Sequence, residues 1–140
     1  MKYILILLSL FYFTYALSDD VTVEMLNKKD KETMVFSKKI TNVNVGETIF
    51  WKATDGGHNV EFIKNGTPEG VEKFRSRLSE DTQFKFEIPG IYAYWCTPHK
   101  GLGMIGFVIV GNDKSNIDAI RLIKFFGKSK KISKILIKQL

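Results

Sequence analysis

The chain has 140 residues, 44% of them apolar and 13% aromatic, enough for one domain with its own core and too apolar for a disordered segment. Twenty-one lysines and arginines against fifteen acids give a net charge of +6, which fits an anionic partner: nucleic acid, a membrane surface or an acidic protein. A single cysteine excludes any internal disulfide, so an exported chain would keep this thiol for another reason, and metal ligation supplies one.

At the N-terminus Lys2 precedes an apolar stretch from Tyr3 to Leu17, and Ala16-Leu17-Ser18 offers a small-x-small cleavage site before Asp19-Asp20. Residues 1–18 are read as a secretory signal rather than an anchor. The stretch is short for a span of ~20 residues and is interrupted by Ser9 and Thr14. Cleavage removes Lys2 and no acid, leaving +5, and export sets nucleic acid aside. The expectation is a periplasmic protein with an acidic protein partner and no stable membrane insertion after cleavage.

Next, Val21 to Leu26 alternates as a strand should, and Lys28 to Glu32 reads as a charged loop. Strand-like runs follow at Met34 to Phe36, Ile40 to Val45, Thr48 to Lys52, Phe84 to Ile88, Ile91 to Trp95 and Ile105 to Val110. Turns fall at Gly46, Asp55-Gly56-Gly57 and Pro89-Gly90, and this spacing of short strands predicts an antiparallel sandwich or barrel. Residues 67–79 have no clear period and fit either a short helix or an ordered loop.

Beyond Gly111 the period changes. Ser115 with Asp118 resembles a capping box, and Ile117, Ile120, Ile123 and Phe126 recur at helical spacing up to Gly127. A second helix is expected after Ser129, with Ile132, Ile135, Leu136 and Leu140 on one face and Lys131, Lys134 and Lys138 on the other. The pair reads as a helical hairpin packed on the sandwich, the alternative being a basic amphipathic element at a membrane surface. The expected organisation is a signal (1–18), a β domain (19–112) and a helical extension (113–140).

The chemistry concentrates in Cys96-Thr-Pro-His99-Lys-Gly-Leu-Gly-Met104, which holds the only cysteine, one of two histidines and a methionine. The other histidine, His58, lies in Asp-Gly-Gly-His-Asn-Val. Taken singly, Cys96 reads as a buried inert thiol, His99 as a loop histidine and Met104 as core filler. Even as a cluster, the loop alone could be a zinc remnant or a reactive thiol. A thiolate, two imidazoles and a thioether together suit copper in a trigonal site with a long axial sulfur bond. Strand parity agrees: if Cys96 points inward, Tyr92 and Tyr94 share its face while Ala93 and Trp95 point away.

The segments Glu24-Met25-Leu26-Asn27, Met34-Val35-Phe36, Gly57-His58-Asn59-Val60, Cys96-Thr97-Pro98-His99 and Gly103-Met104 resemble the pseudoazurins, a branch of the cupredoxin (type 1 blue copper) family. The resemblance spans nearly all of the chain after the signal. It implies an all-β Greek-key sandwich with two short C-terminal helices, and a single copper ion held by His58, Cys96, His99 and Met104. It also implies that the Asn59 backbone N–H reaches the thiolate while its side chain ties the two ligand loops together, and that Met34 lies close to His99. Pro98 has no N–H to offer the Cys96 sulfur, which should lower the reduction potential.

A closed four-ligand site suits one-electron transfer, and no further histidine remains for a catalytic copper, so an enzyme is not expected. The implied function is a monomeric carrier that takes electrons from a cytochrome or quinol-oxidising complex and donates them to a copper nitrite reductase or similar enzyme. The alternative is copper binding or delivery without redox turnover. In the family electrons pass through the C-terminal histidine edge, here His99, within an apolar patch of Gly57, Pro98, Gly101 and Leu102. Lys28, Lys29, Lys31, Lys38, Lys39, Lys64 and Lys100 are the candidate basic rim for an acidic partner. The chain departs from its relatives at Gly56, where they commonly carry lysine, at Lys100, where an aromatic is usual, and at Leu102, which replaces a methionine.

Overall fold

Alternating apolar and polar side chains build one sheet of this protein, and unbroken apolar runs build the other. The computed structural model describes residues 21–140, so the expected signal lies outside the described residues. Eight strands follow in order: β1 (Val21–Lys29), β2 (Glu32–Phe36), β3 (Ile40–Val43), β4 (Thr48–Lys52), β5 (Glu61–Phe62), β6 (Thr82–Lys85), β7 (Gly90–Trp95) and β8 (Ile105–Val110). A 3-10 turn at Thr97–His99 separates β7 from β8, and helices α1 (Ile117–Arg121) and α2 (Lys128–Ile137) close the chain. The strands form two four-stranded sheets, ordered β2-β1-β4-β6 and β3-β8-β7-β5, with a shared core between them.

In the first sheet Val23, Met25, Ile49 and Trp51 point into that core while Thr22, Phe50 and Lys52 are exposed, the pattern of a sheet wet on one face. In the second, every residue of β8 is buried because both faces are covered. Tyr92, Tyr94, Val108 and Val110 meet the first sheet, whereas Ile91, Ala93, Ile105, Phe107 and Ile109 pack beneath Ile120 of α1 and Leu136 of α2. The expected parity holds: Cys96 shares the inner core with Tyr92 and Tyr94. Burying Ile120 and Leu136 contributes about 3–6 kcal/mol in all, which holds the helical extension against the sheet.

The structure differs from the sequence reading in several places. Among the described residues, two of six strand pairings, β1 with β4 and β3 with β8, are parallel rather than antiparallel. The chain crosses between sheets at those points, so a returning strand runs alongside rather than against its neighbour. The expected loop at Lys28–Glu32 is a tight hairpin turning at Asp30 (φ 53°), with β1 running on to Lys29. β6 begins at Thr82 and ends at Lys85, earlier than the apolar run from Phe84 to Ile88 predicts. Residues 67–79 form an ordered loop whose Phe74 carbonyl accepts from the Phe62 N–H at 2.9 Å.

The helices correct the periodicity reading most. Ser115 is not a cap, since Asn116 holds the N-cap position and no side chain caps the helix; the Ser115 N–H donates to Asp113 Oδ1 at 2.7 Å, and α1 ends at Arg121. Phe126 therefore lies outside any helix and is 48% exposed. In α2 the inward face is Ser129, Ile132, Ser133 and Leu136, and Ile135 is exposed. The small serines let the helix approach the sheet end closely, which an all-apolar stripe would not.

Candidate metal centre

Two loops at one end of the sandwich, β4–β5 and β7–β8, bring the donors together. His58 lies between β4 and β5 after Gly57, whose φ of +84° is a backbone state that side chains disfavour. Cys96 immediately follows β7, His99 closes the 3-10 turn, and Met104 immediately precedes β8. His58, Cys96 and Met104 are fully buried, and His99 is half-buried.

His58 Nδ1 lies 3.1 Å from His99 Nδ1, and Cys96 Sγ lies 3.8 Å and 3.4 Å from those two nitrogens. A trigonal ion with bonds of ~2.0 Å to nitrogen and ~2.3 Å to sulfur would separate such donors by ~3.5 Å (N to N) and ~3.7 Å (N to S). The triangle therefore matches a metal plane to within a few tenths of an ångström. Met104 joins Cys96 in the same buried cluster, and its carbonyl accepts from the Cys96 N–H at 3.0 Å.

Burial pushes the Cys96 thiol above its ordinary value, partly offset by the backbone N–H groups of Asn59 and His99. Desolvation pushes His58 down, helped by the neighbouring His99 and opposed by Asp55, and desolvation also lowers His99. Without metal the site therefore favours neutral imidazoles and a protonated thiol. A cation that binds must displace the thiol proton but meets imidazoles already in ligating form.

Neighbouring groups aim the donors. Asn27 Oδ1 lies 2.9 Å from His58 Nε2, which sets that nitrogen as the N–H and leaves Nδ1 as the lone pair facing Cys96. The β1–β2 ladder skips the Asn27–Met34 pair, and the Asn27 N–H instead donates to Asp55 Oδ2 at 2.6 Å. Met34 sits opposite, at a left-handed φ of 51°. Asn59 joins the ligand loops: its Oδ1 accepts from the Thr97 N–H at 2.8 Å, and its Nδ2 donates to Thr97 Oγ1 at 3.0 Å and to the Ser76 carbonyl at 3.2 Å. Thr97 Oγ1 and Trp95 Nε1 in turn both donate to Glu61 Oε2, at 2.7 Å and 3.0 Å.

Pro98 and Leu102 are exposed beside the half-buried His99. Lys100 Nζ stands 5.2 Å from the centroid of the Trp95 ring and 5.8 Å from that of Phe126, so its charge rests between two aromatic faces. Of the expected rim, Lys39 pairs with Glu32 and Lys29 donates to the Ser37 carbonyl at 2.6 Å. Sequence reasoning gave Asn27, Asp55, Glu61, Phe126 and Ser129 no part in the site. Asn27 stood inside a recognised segment, but only the fold brings it to His58.

The family of copper-binding proteins of the plastocyanin/azurin type matches residues 23–111. A pseudoazurin from Paracoccus pantotrophus is 42% identical over 108 residues, covering 77% of this chain and 74% of that one. The chain belongs to the pseudoazurin branch of the cupredoxins. The crystal structure of pseudoazurin from Methylobacterium extorquens superposes with a TM-score of 0.83 at 32% identity, covering 86% of this chain and 98% of that one. A copper-containing nitrite reductase from Thermus scotoductus contains the fold in 22% of its chain, matching 65% of this one with a TM-score of 0.51 and 25% identity.

Like other pseudoazurins, the chain is a type 1 copper electron-transfer protein and not an enzyme. Its cofactor is one copper ion, and the convergent donor triangle fits it. Bound copper supplies a one-electron couple between Cu(I) and Cu(II). The protein's part is to hold the donors in one arrangement for both states and to keep water from the buried side, as the full burial of Cys96, His58 and Met104 requires.

Proposed function

We propose that this chain is a periplasmic carrier in which His58, Cys96, His99 and Met104 ligate copper and electrons pass through the half-exposed His99. The observation that carries this reading is the donor triangle with edges of 3.1–3.8 Å, open to solvent only on the His99 side. Residues 19–112 form the copper-binding domain and 113–140 an extension packed on it, after export directed by residues 1–18. Asn59, Pro98 and Met34 act around the ligands. His99, Lys100 and Leu102, joined by Phe126, form the contact surface for a transient complex between monomers of carrier and partner.

The charge distribution supports an acidic partner. Residues 113–140 carry eight lysines and arginines against two aspartates, whereas residues 19–112 carry twelve against thirteen acids. The positive field therefore comes from the helical extension, whose Lys128 lies against Gly103 beside the ligand loop. Such a field raises the association rate more than the affinity, as a carrier that must leave after each transfer requires. The acceptor we propose is a copper nitrite reductase or similar respiratory enzyme, and the donor a cytochrome or quinol-oxidising complex.

Copper delivery without redox turnover fits less well, because three of the four donors are fully buried and offer no path for ligand exchange with a recipient. The deciding test is the visible spectrum of the oxidised, copper-loaded protein. A strong thiolate charge-transfer band near ~600 nm is expected, lost in Cys96→Ser; its absence from the parent protein would refute the type 1 site. Electron transfer to an acidic acceptor should slow as ionic strength rises, and a flat response would remove electrostatic steering.

A further inference from the structure

We propose that Ser129, the second residue of α2, is a positioning residue for the copper site, bracing from outside the loop that separates His99 from Met104. The inference rests on the ligand set proposed above. Ser129 is fully buried, and its hydroxyl donates to the Lys100 carbonyl at 2.5 Å while accepting from the Gly103 N–H at 3.0 Å. The hydroxyl thus forms a chord across the four residues between two ligands. It satisfies the buried Gly103 N–H and the half-buried Lys100 carbonyl, one from each end of the loop.

The rest of the contact is built for the same close approach. The Lys128 N–H donates to the Gly101 carbonyl at 2.9 Å. A Cβ on Gly127 would lie 2.5 Å from that carbonyl oxygen, and a Cβ on Gly103 would lie 2.6 Å from Ile132 Cδ1. Residues 100, 101 and 103 are each held by the start of α2, and Leu102 alone faces solvent. From within, the loop is closed by the Leu102 N–H to the His99 carbonyl at 2.9 Å and the Cys96 N–H to the Met104 carbonyl at 3.0 Å.

The serine is not needed to attach the helix. Leu136, near the other end of α2, packs into the apolar layer beneath the helices with Ile132 against it. Nor does it cap its own helix, which has no side-chain cap hydrogen bond. Both bonds of the hydroxyl are directed at the ligand loop. Slack in that loop would shift the Met104 sulfur relative to the plane of the other three donors, and the axial ligand is a main determinant of the potential and spectrum of such a site. Groups one step behind a ligand change metal affinity by 10–100-fold when removed.

The test compares Ser129→Ala with Leu136→Ala, both copper-loaded. Ser129→Ala should release Cu(I) to a chelator about tenfold faster, equivalent to ~1.4 kcal/mol, with a changed reduction potential and a displaced charge-transfer band. Leu136→Ala should lower the melting temperature yet keep the parent release rate, potential and band. Parent-like behaviour of Ser129→Ala would overturn the proposal, as would equal changes in both variants, since these would report general loosening. If Ser129→Ala does not fold, amide exchange of Gly103 in the copper-free parent protein decides. Protection equal to that of α2's own amides is expected, and exchange at an open-loop rate would overturn the brace. A colourless parent protein would refute the ligand set but leave that measurement valid.

Discussion

Asn59→Ala should separate the two ligand loops without touching a ligand. Asn59 is 1% exposed, and truncation removes three hydrogen bonds, to the Thr97 N–H at 2.8 Å, Thr97 Oγ1 at 3.0 Å and the Ser76 carbonyl at 3.2 Å. At about 0.5–1.5 kcal/mol net for each, the loss is roughly 3 kcal/mol, with the half-buried Thr97 N–H left without an acceptor. For a domain of this size, 1 kcal/mol corresponds to roughly 4 °C, so the melting temperature should fall by about 10 °C. Urea unfolding of the copper-free protein measures the loss without a contribution from metal binding. A double-mutant cycle with Thr97→Val then isolates the Nδ2 to Oγ1 bond, with an expected coupling of about 1 kcal/mol. A loss below 1 kcal/mol for Asn59→Ala would refute the reasoning, because it would mean that water or a relaxed backbone replaces all three bonds.

Other outcomes follow from single contacts. Gly106→Ala would put a Cβ 2.4–2.9 Å from the ring and hydroxyl of fully buried Tyr94, so overpacking should cost about 2–3 kcal/mol by thermal unfolding; an unchanged melting temperature would show that Tyr94 can move. Asn27→Ala should weaken copper binding about tenfold or more in chelator competition by releasing the His58 Nε2 N–H, and parent affinity would contradict the role given to that bond. In the copper-free protein His58 and His99 are depressed from 6.5, so the unfolded chain binds more protons and stability should fall as pH drops below about 6.5. Cys96 is raised from 9.0, so the folded chain holds its proton longer and stability should also fall as pH rises above about 9. Urea midpoints that stay constant between pH 5 and 10 would contradict both shifts.

The proposed ligands were legible because they are scarce: one cysteine and two histidines leave little choice, and spacing within nine residues keeps Cys96, His99 and Met104 near one another in any compact fold. Most strands were legible for a similar reason, since alternation and turn residues are local signals. The pair of parallel alignments was not, because strand order depends on where the chain crosses between sheets. Neither was the end of α1: Phe126 keeps helical spacing, but its exposure beside Gly101 and Lys100 is set by a loop more than twenty residues away.

By itself, the sequence determined the donor chemistry and the alternation of β7, which turns Cys96 inward with Tyr92 and Tyr94. Tertiary structure decided what aims those donors. Asn27 reaches His58 only because the β1–β2 ladder opens at one pair, and Ser129 reaches the ligand loop only because two glycines let α2 approach it. Donor identity is a property of a side chain and can be read in order along the chain. The hydrogen bonds that orient a donor join residues 26 to 38 positions apart, and no local pattern records which of many polar side chains will arrive there.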